Sequence, residues 1–238
     1  MKKIILAVLC VMLVLAMCAC SKTENNNKVE QTQSADKKNV IESTETTQND
    51  VQNAKEQETA AAKMAYEKLL LAENTCCEIM DTIYAAWHFA VYESGNYSNA
   101  TECYEKYIEV TQLDYDSTLD ILNTDLVDLG REVNGQTQIA YLEDISTAVD
   151  LVLLVYYDNG VFAGLEECLG TAKESLKSVT DQYKDATGYD DLKKYYVEIE
   201  SYFEYIKNPT GSFDDLGALV NNYETNMRTY RKSLEFIF

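Results

Sequence analysis

"YFEYIKNPTGSFDDLGALVNNY", Tyr202 to Tyr223, is the stretch that decides the fold of this chain. The helix it ends carries apolar residues at Leu192, Tyr195, Ile199, Tyr202 and Ile206, in alternating steps of three and four. That is the period of one buried helical face. After the break the same period returns at Phe213, Leu216, Val220, Tyr223, Met227, Tyr230, Leu234 and Ile237. Between the two runs stands Pro209, the single proline of 238 residues. It lacks the N–H that a continuing helix needs, so the first run must stop there. Gly211 supplies the turn, and Ser212 with Asp215 three residues on reads as a capping box that opens the last helix. Two helices joined by so short a connection lie antiparallel.

Moving toward the N-terminus, the helical period recurs. Leu142, Ile145, Val149, Val152 and Tyr156 form one run, and Phe162, Leu165, Leu169, Ala172, Leu176, Val179 and Tyr183 resume it after Asp158-Asn159-Gly160. "LVLLVYY" at 151–157 has strand-like composition, but its flanks are helical and it has no second strand to pair with. Asn159-Gly160 therefore reads as a break or kink, with the continuity of the helix left open. Before that, a helix starting at Ser98 carries Tyr104, Ile108, Thr111, Tyr115, Leu119, Leu122, Leu126, Leu129 and Val133, and Asn134-Gly135 stops it. The first seam is Tyr66, Leu69, Cys76, Met80, Tyr84, Trp87 and Val91, interrupted by Glu73 and closed by Gly95, with Asp50 placed to cap a helix from Val51. One proline and nine glycines suit helices better than a turn-rich β fold. The expected fold is all-α, an antiparallel bundle of five or six helices without a sheet, forming a single domain over 51–238.

The N-terminus reads as a processing signal. Lys2 and Lys3 precede an apolar run from Ile4 to Met17, which is short against the ~20 residues of a membrane span. Its end, "MCAC", resembles a lipobox, with small Ala19 before Cys20. The competing frame, "LAMC", would use Cys18 but sets bulky Met17 beside the cut. The lipobox resemblance implies cleavage after Ala19 and lipid attachment, palmitate included, at Cys20. The expected division is a signal peptide over 1–19, then lipidated Cys20 with a tether to residue 50, rich in Asn, Gln, Thr and Ser and too poor in apolar residues to order itself. The expected location is the extracytoplasmic face of a cell membrane.

"WHFAVYESGNYSNA" (Trp87–Ala100) and the opening stretch together resemble a group of small helical lipoproteins and exported proteins of Gram-positive bacteria and their phages. Those share an aromatic-rich first helix and a late helix–Pro-x-Gly-Ser–helix connection, matched here by Pro209, Gly211 and Ser212. The resemblance spans most of 60–238. It implies architecture and location, and brings no catalytic residues with it.

Chemistry is sparse. The chain has 40 acidic against 20 basic residues, a formal charge of −20, which disfavours nucleic acid and anionic lipid surfaces as partners. The one histidine, His88, stands five residues from Glu93, off the three- or four-residue spacing of a shared helical face. "DYDSTLDILNTD" at 114–125 fails as a calcium loop, with Leu119 in place of the glycine and Asp125 in place of the closing Glu. No phosphate loop, nucleophile elbow or C-x-x-C occurs, so no enzyme, metal or cofactor is expected. Cys76, Cys77, Cys103 and Cys168 are expected as packed free thiols. Tyrosine is enriched, at 18 residues, and one member each of Tyr156-Tyr157 and Tyr195-Tyr196 is expected to face outward. The expected function is a lipid-anchored module binding a protein or cell-envelope partner through a helix face. The alternatives are a small-ligand or cation-binding lipoprotein, or a phage-related exclusion or immunity lipoprotein.

Overall fold

A seven-residue repeat in the first helix organises everything packed around it. The computed structural model describes residues 41–97, 99–128, 132–133, 136–137, 142 and 144–238, with the backbone alone for 41–49, 123–137 and 186. The signal segment, Cys18, Cys20 and the chain to residue 40 lie outside the described residues. Glu45–Phe238 form one compact unit, distinct from Met1–Thr44.

Helix α1 runs from Ile41 to Tyr92, 52 residues, and so is about 78 Å long at ~1.5 Å per residue. It begins ten residues earlier than expected, which makes Asp50 an interior residue rather than a cap. Ala62, Leu69, Cys76, Ile83 and Ala90 are buried at intervals of seven. Ala65, Ala72, Ile79 and Ala86 are buried beside them, and so are Tyr66, Glu73, Met80 and Trp87. Three adjacent columns make a stripe wide enough to be covered by several neighbours. Tyr84 and Val91, expected in the seam, are exposed. The small alanines hold the buried line, and a reading guided by large residues drifts off it.

The second expected helix is two. Helix α2, Ala100–Thr111, is capped by Asn99, whose side chain accepts the Glu102 N–H at 2.9 Å. It ends at Gln112, which takes the left-handed conformation (φ 56°) and donates its N–H to Ile108 O at 2.8 Å. Asp114 then accepts the Ser117 N–H at 3.0 Å and opens helix α3, Tyr115–Asp128. The apolar period of the sequence runs across this break through Tyr115, which the structure leaves exposed. Leu126, Leu129 and Val133 lie outside the residues whose side chains are described. A two-residue ladder follows, β1 (Glu132–Val133) antiparallel to β2 (Gln136–Thr137), flanking Asn134-Gly135.

Helix α4, Ile145–Asp158, is capped by Asp144, and α5 is Val161–Lys177. The two meet at Asn159-Gly160 with a 65° bend, so the helix is not continuous there. Gly160 permits the bend through a positive φ of 72°. Helix α6, Tyr189–Lys207, and helix α7, Phe213–Leu234, close the chain. Between them the capping box forms as expected, with Asp215 N–H donating to Ser212 Oγ at 3.2 Å and Ser212 N–H to Asp215 Oδ2 at 3.3 Å. Gly211 takes φ 118° in the turn, and the Tyr205 hydroxyl donates to Thr210 O at 2.9 Å.

The fold is thus an all-α bundle, of seven helices among the described residues because two expected helices are interrupted. Successive helices α3 to α7 pack on one another, and the buried side chains of α1 belong to the same core. Its side chains meet α2 (Phe89 on Tyr107, ring centroids 5.6 Å apart) and α4 (Thr82 to Tyr156, 3.0 Å). They also meet α6 (Tyr66 on Tyr195, 6.5 Å) and α7 (Tyr84 on Phe213, 4.5 Å). In the middle of the buried stripe Glu73, 5% exposed, accepts the Tyr195 hydroxyl and pairs with Arg231 Nη1 at 2.9 Å. A buried carboxylate is tolerable only with such partners.

Candidate functional site: an aromatic end and a polar groove on the long helix

Two surfaces on the last third of α1 carry unusual chemistry. On one face Tyr84, Trp87, His88 and Tyr92 stand at steps of three, one and four, so they share a side of the helix. The capping box starts α7 at Phe213, and this ring enters the group. Its centroid lies 4.5 Å from Tyr84 and 6.4 Å from each of Trp87, His88 and Tyr92. The late turn and the aromatic first helix, far apart in the chain, are therefore one structure. Trp87 is buried beneath it, while Tyr84 and Tyr92 are 39% and 60% exposed. Glu93 lies just past the helix end, and there it reaches His88 Nδ1 at 3.4 Å. The five-residue spacing argued against such a meeting, but it assumed a helix that continues. The pair is ionic whenever the imidazole is protonated.

On another side α1, α2 and α4 enclose a groove of about 400 Å³, lined by Glu78, Asp81, Thr82, Ala85, Val110, Thr111, Gln112 and Tyr156. The break after α2 makes it: Gln112 turns the chain away, leaving the end of α2 as one wall. Burial, with Glu78 and Asp81 adjacent, pushes the Tyr156 phenol above its usual range. A second, more apolar groove of about 480 Å³ lies at the α4–α5 bend and α6, lined by Leu153, Leu154, Tyr157 and Phe162, with Asp150, Glu166 and Lys207 also in its lining.

The tyrosine doublets divide differently from expectation. Tyr157 is exposed and Tyr156 turns inward to Thr82, but Tyr195 and Tyr196 are both buried. Tyr196 is covered from α5, where the Lys173 ammonium stands 5.6 Å from its ring centroid. Among the described residues most tyrosines thus lie in the core or pack against it, and the outward ones are few. Cys76, Cys77 and Cys168 are free thiols, and Cys103 is buried in α2. Burial, aided by nearby Glu224, pushes Cys77 up to about 12, and burial raises Cys168 as well. Neither is a nucleophile at neutral pH. Among the described residues no three His, Cys, Asp or Glu side chains group to hold a metal ion, and no single helix is long and apolar enough to cross a membrane. Pro209, Gly211 and Ser212 act by delivering Phe213, and Cys20 lies outside the described residues.

The sequence named Tyr84, Trp87 and His88 but not their convergence on Phe213, which depends on α7 returning along α1. It gave no sign of the polar groove, although the cap formed by Asp114 and Ser117 marked the helix break that creates it. No protein-family model matches the chain, and neither a curated protein nor a solved structure does.

Proposed function

We propose that this chain is a lipid-anchored, extracytoplasmic helical module that docks a protein or cell-envelope partner. The observation that carries the reading is the aromatic end of α1, where Tyr84 and Tyr92 remain exposed over a fixed base of Trp87 and Phe213. Large amphipathic rings on a rigid base are the residues most often found at the centre of protein interfaces, because they bring contact area with little side-chain entropy to lose. The apolar run of 4–17 and the lipobox-like end at Cys20 support the anchor.

The test places a photoreactive amino acid at Tyr92 and, as a control, at exposed Glu105. Irradiation of intact cells is expected to yield a discrete adduct from position 92 and none from 105. Phe213→Ala, which removes the base of the patch, is expected to erase that adduct. Equal labelling from both positions, or no adduct from either, overturns the docking reading. For the anchor, Cys20→Ser is expected to abolish metabolic labelling with an alkynyl palmitate, and labelling that persists in it but disappears in Cys18→Ser would move the site. A second reading, a small-ligand or cation-binding lipoprotein, is favoured by one feature, the groove with Glu78 and Asp81 in its wall.

A further inference from the structure

We propose that the groove between α1, α2 and α4 binds a primary alkylammonium group, such as the end of an aliphatic diamine or a lysine side chain. This gives a ligand class to the second reading and is independent of the lipid anchor.

The protons of the groove's hydroxyls decide what it can hold. A hydroxyl has one proton to donate and two lone pairs to offer. Thr82 Oγ1 donates to Glu78 O at 3.0 Å, along its own helix. Its 3.0 Å contact with the Tyr156 hydroxyl must then use the tyrosine's proton. Thr111 Oγ1 donates to Tyr107 O at 2.7 Å. All three hydroxyls have committed their protons, and only acceptor lone pairs remain for an occupant. The Glu78 and Asp81 carboxylates are acceptors too, and neither has a lysine or arginine partner among the described residues. The α2 wall adds to this. It is a helix C-terminus, the negative end of the dipole, and carries no basic residue in its last turn.

Of the lining side chains only the Gln112 carboxamide donates freely, and no cationic side chain is among them. The groove is thus matched to an occupant that carries positive charge and donates without accepting. An alkylammonium has three donors and no acceptor, and its aliphatic stem has Ala85, Val110 and the Tyr156 ring to lie on. Space is sufficient, since small-molecule sites occupy about 300–1,000 Å³. The acceptors belong to three separate helices, an arrangement that suits a compact tetrahedral head better than the planar fork of a guanidinium.

The experiment titrates the full chain in detergent with cadaverine and, separately, with Nα-acetyl-lysine amide, followed by calorimetry. Salt is held at about 0.15 M, where screening over ~8 Å suppresses diffuse attraction to an acidic protein. Saturable one-to-one binding is expected. Glu78→Gln with Asp81→Asn is expected to weaken it by at least about tenfold. Glu167→Gln with Asp185→Asn, which removes the same charge from other surfaces, is expected to leave it within about twofold. Tighter cadaverine identifies a free diamine as the source, and tighter lysine amide a side chain presented by another polypeptide. Equal weakening by the two variant pairs shows unspecific attraction and overturns the proposal. So does saturation by magnesium alone, which would leave the broader cation reading standing, whereas saturation by neither removes both.

Discussion

Tyr195 and Tyr202 stand seven residues apart on α6, both fully buried, yet their hydroxyls meet opposite fates. Tyr195 donates to Glu73, and burial together with that bond drives its phenol far above the usual range. The Tyr202 hydroxyl is buried with no hydrogen-bond partner among the described residues, close to Cys77 and Glu224. An unbonded buried hydroxyl costs ~1–3 kcal/mol. Tyr202→Phe is therefore expected to raise the unfolding free energy by about 1 kcal/mol in urea titrations. Tyr195→Phe is expected to lower it by about 1.5–3 kcal/mol, since it strips a buried carboxylate of a donor. The sequence places both residues in one apolar seam and cannot separate them. What separates them is Glu73 on α1, visible in the sequence only as an interruption of another seam.

At the level of elements, the caps were the legible part. Ser212 and Asp215 could be read because a cap is closed within four residues and owes nothing to the rest of the fold. The side-chain bond between them, then the bond from the Ser212 backbone, hold the Asp215 carboxyl below the ordinary carboxylate range. Asp114 is lowered in the same way by the backbone and side chain of Ser117. A depressed folded pKa means that the charged form is favoured by folding. The stabilisation is complete above the unfolded value of ~3.9 and is lost as pH falls through the lower folded value. Asp215→Asn is thus expected to lower Tm at pH 7, with the gap from the parent protein closing below about pH 4. Thermal melts across pH 7 to 2.5 read both. The break between α2 and α3 bears a cap of the same kind, but there the apolar period runs on through Tyr115 and outweighs it. In the structure Tyr115 is exposed, so the period it extended was accidental.

For the whole molecule, the ion pair between Glu73 and Arg231 joins residues 158 apart and ties the first helix to the last. Arg231→Ala is expected to cost toward the lower end of ~1.5–3 kcal/mol, because its guanidinium is partly exposed. Glu73→Leu with Arg231→Leu is expected to cost less than Arg231→Ala alone, since no charge is then left buried without its partner. Chemical denaturation of the three variants decides this. Helix membership and most buried faces of α4 to α7 were legible, because amphipathic period is a local property. The central role of α1 was not, since five of its fourteen buried residues, among those described, are alanine and its partners come from four other helices. That role has a consequence for the order in which the chain is made. Synthesis delivers α1 early, whereas Arg231 and Phe238, which pairs its ring with Tyr66 at 5.2 Å, follow only after the intervening helices. The stretch of the apolar stripe around Tyr66 and Glu73 must therefore wait for almost all of α7 before it is covered. A stalled or clipped chain that lacks α7 leaves that stretch open, and quality-control proteases would find their substrate in the first helix for a defect in the last.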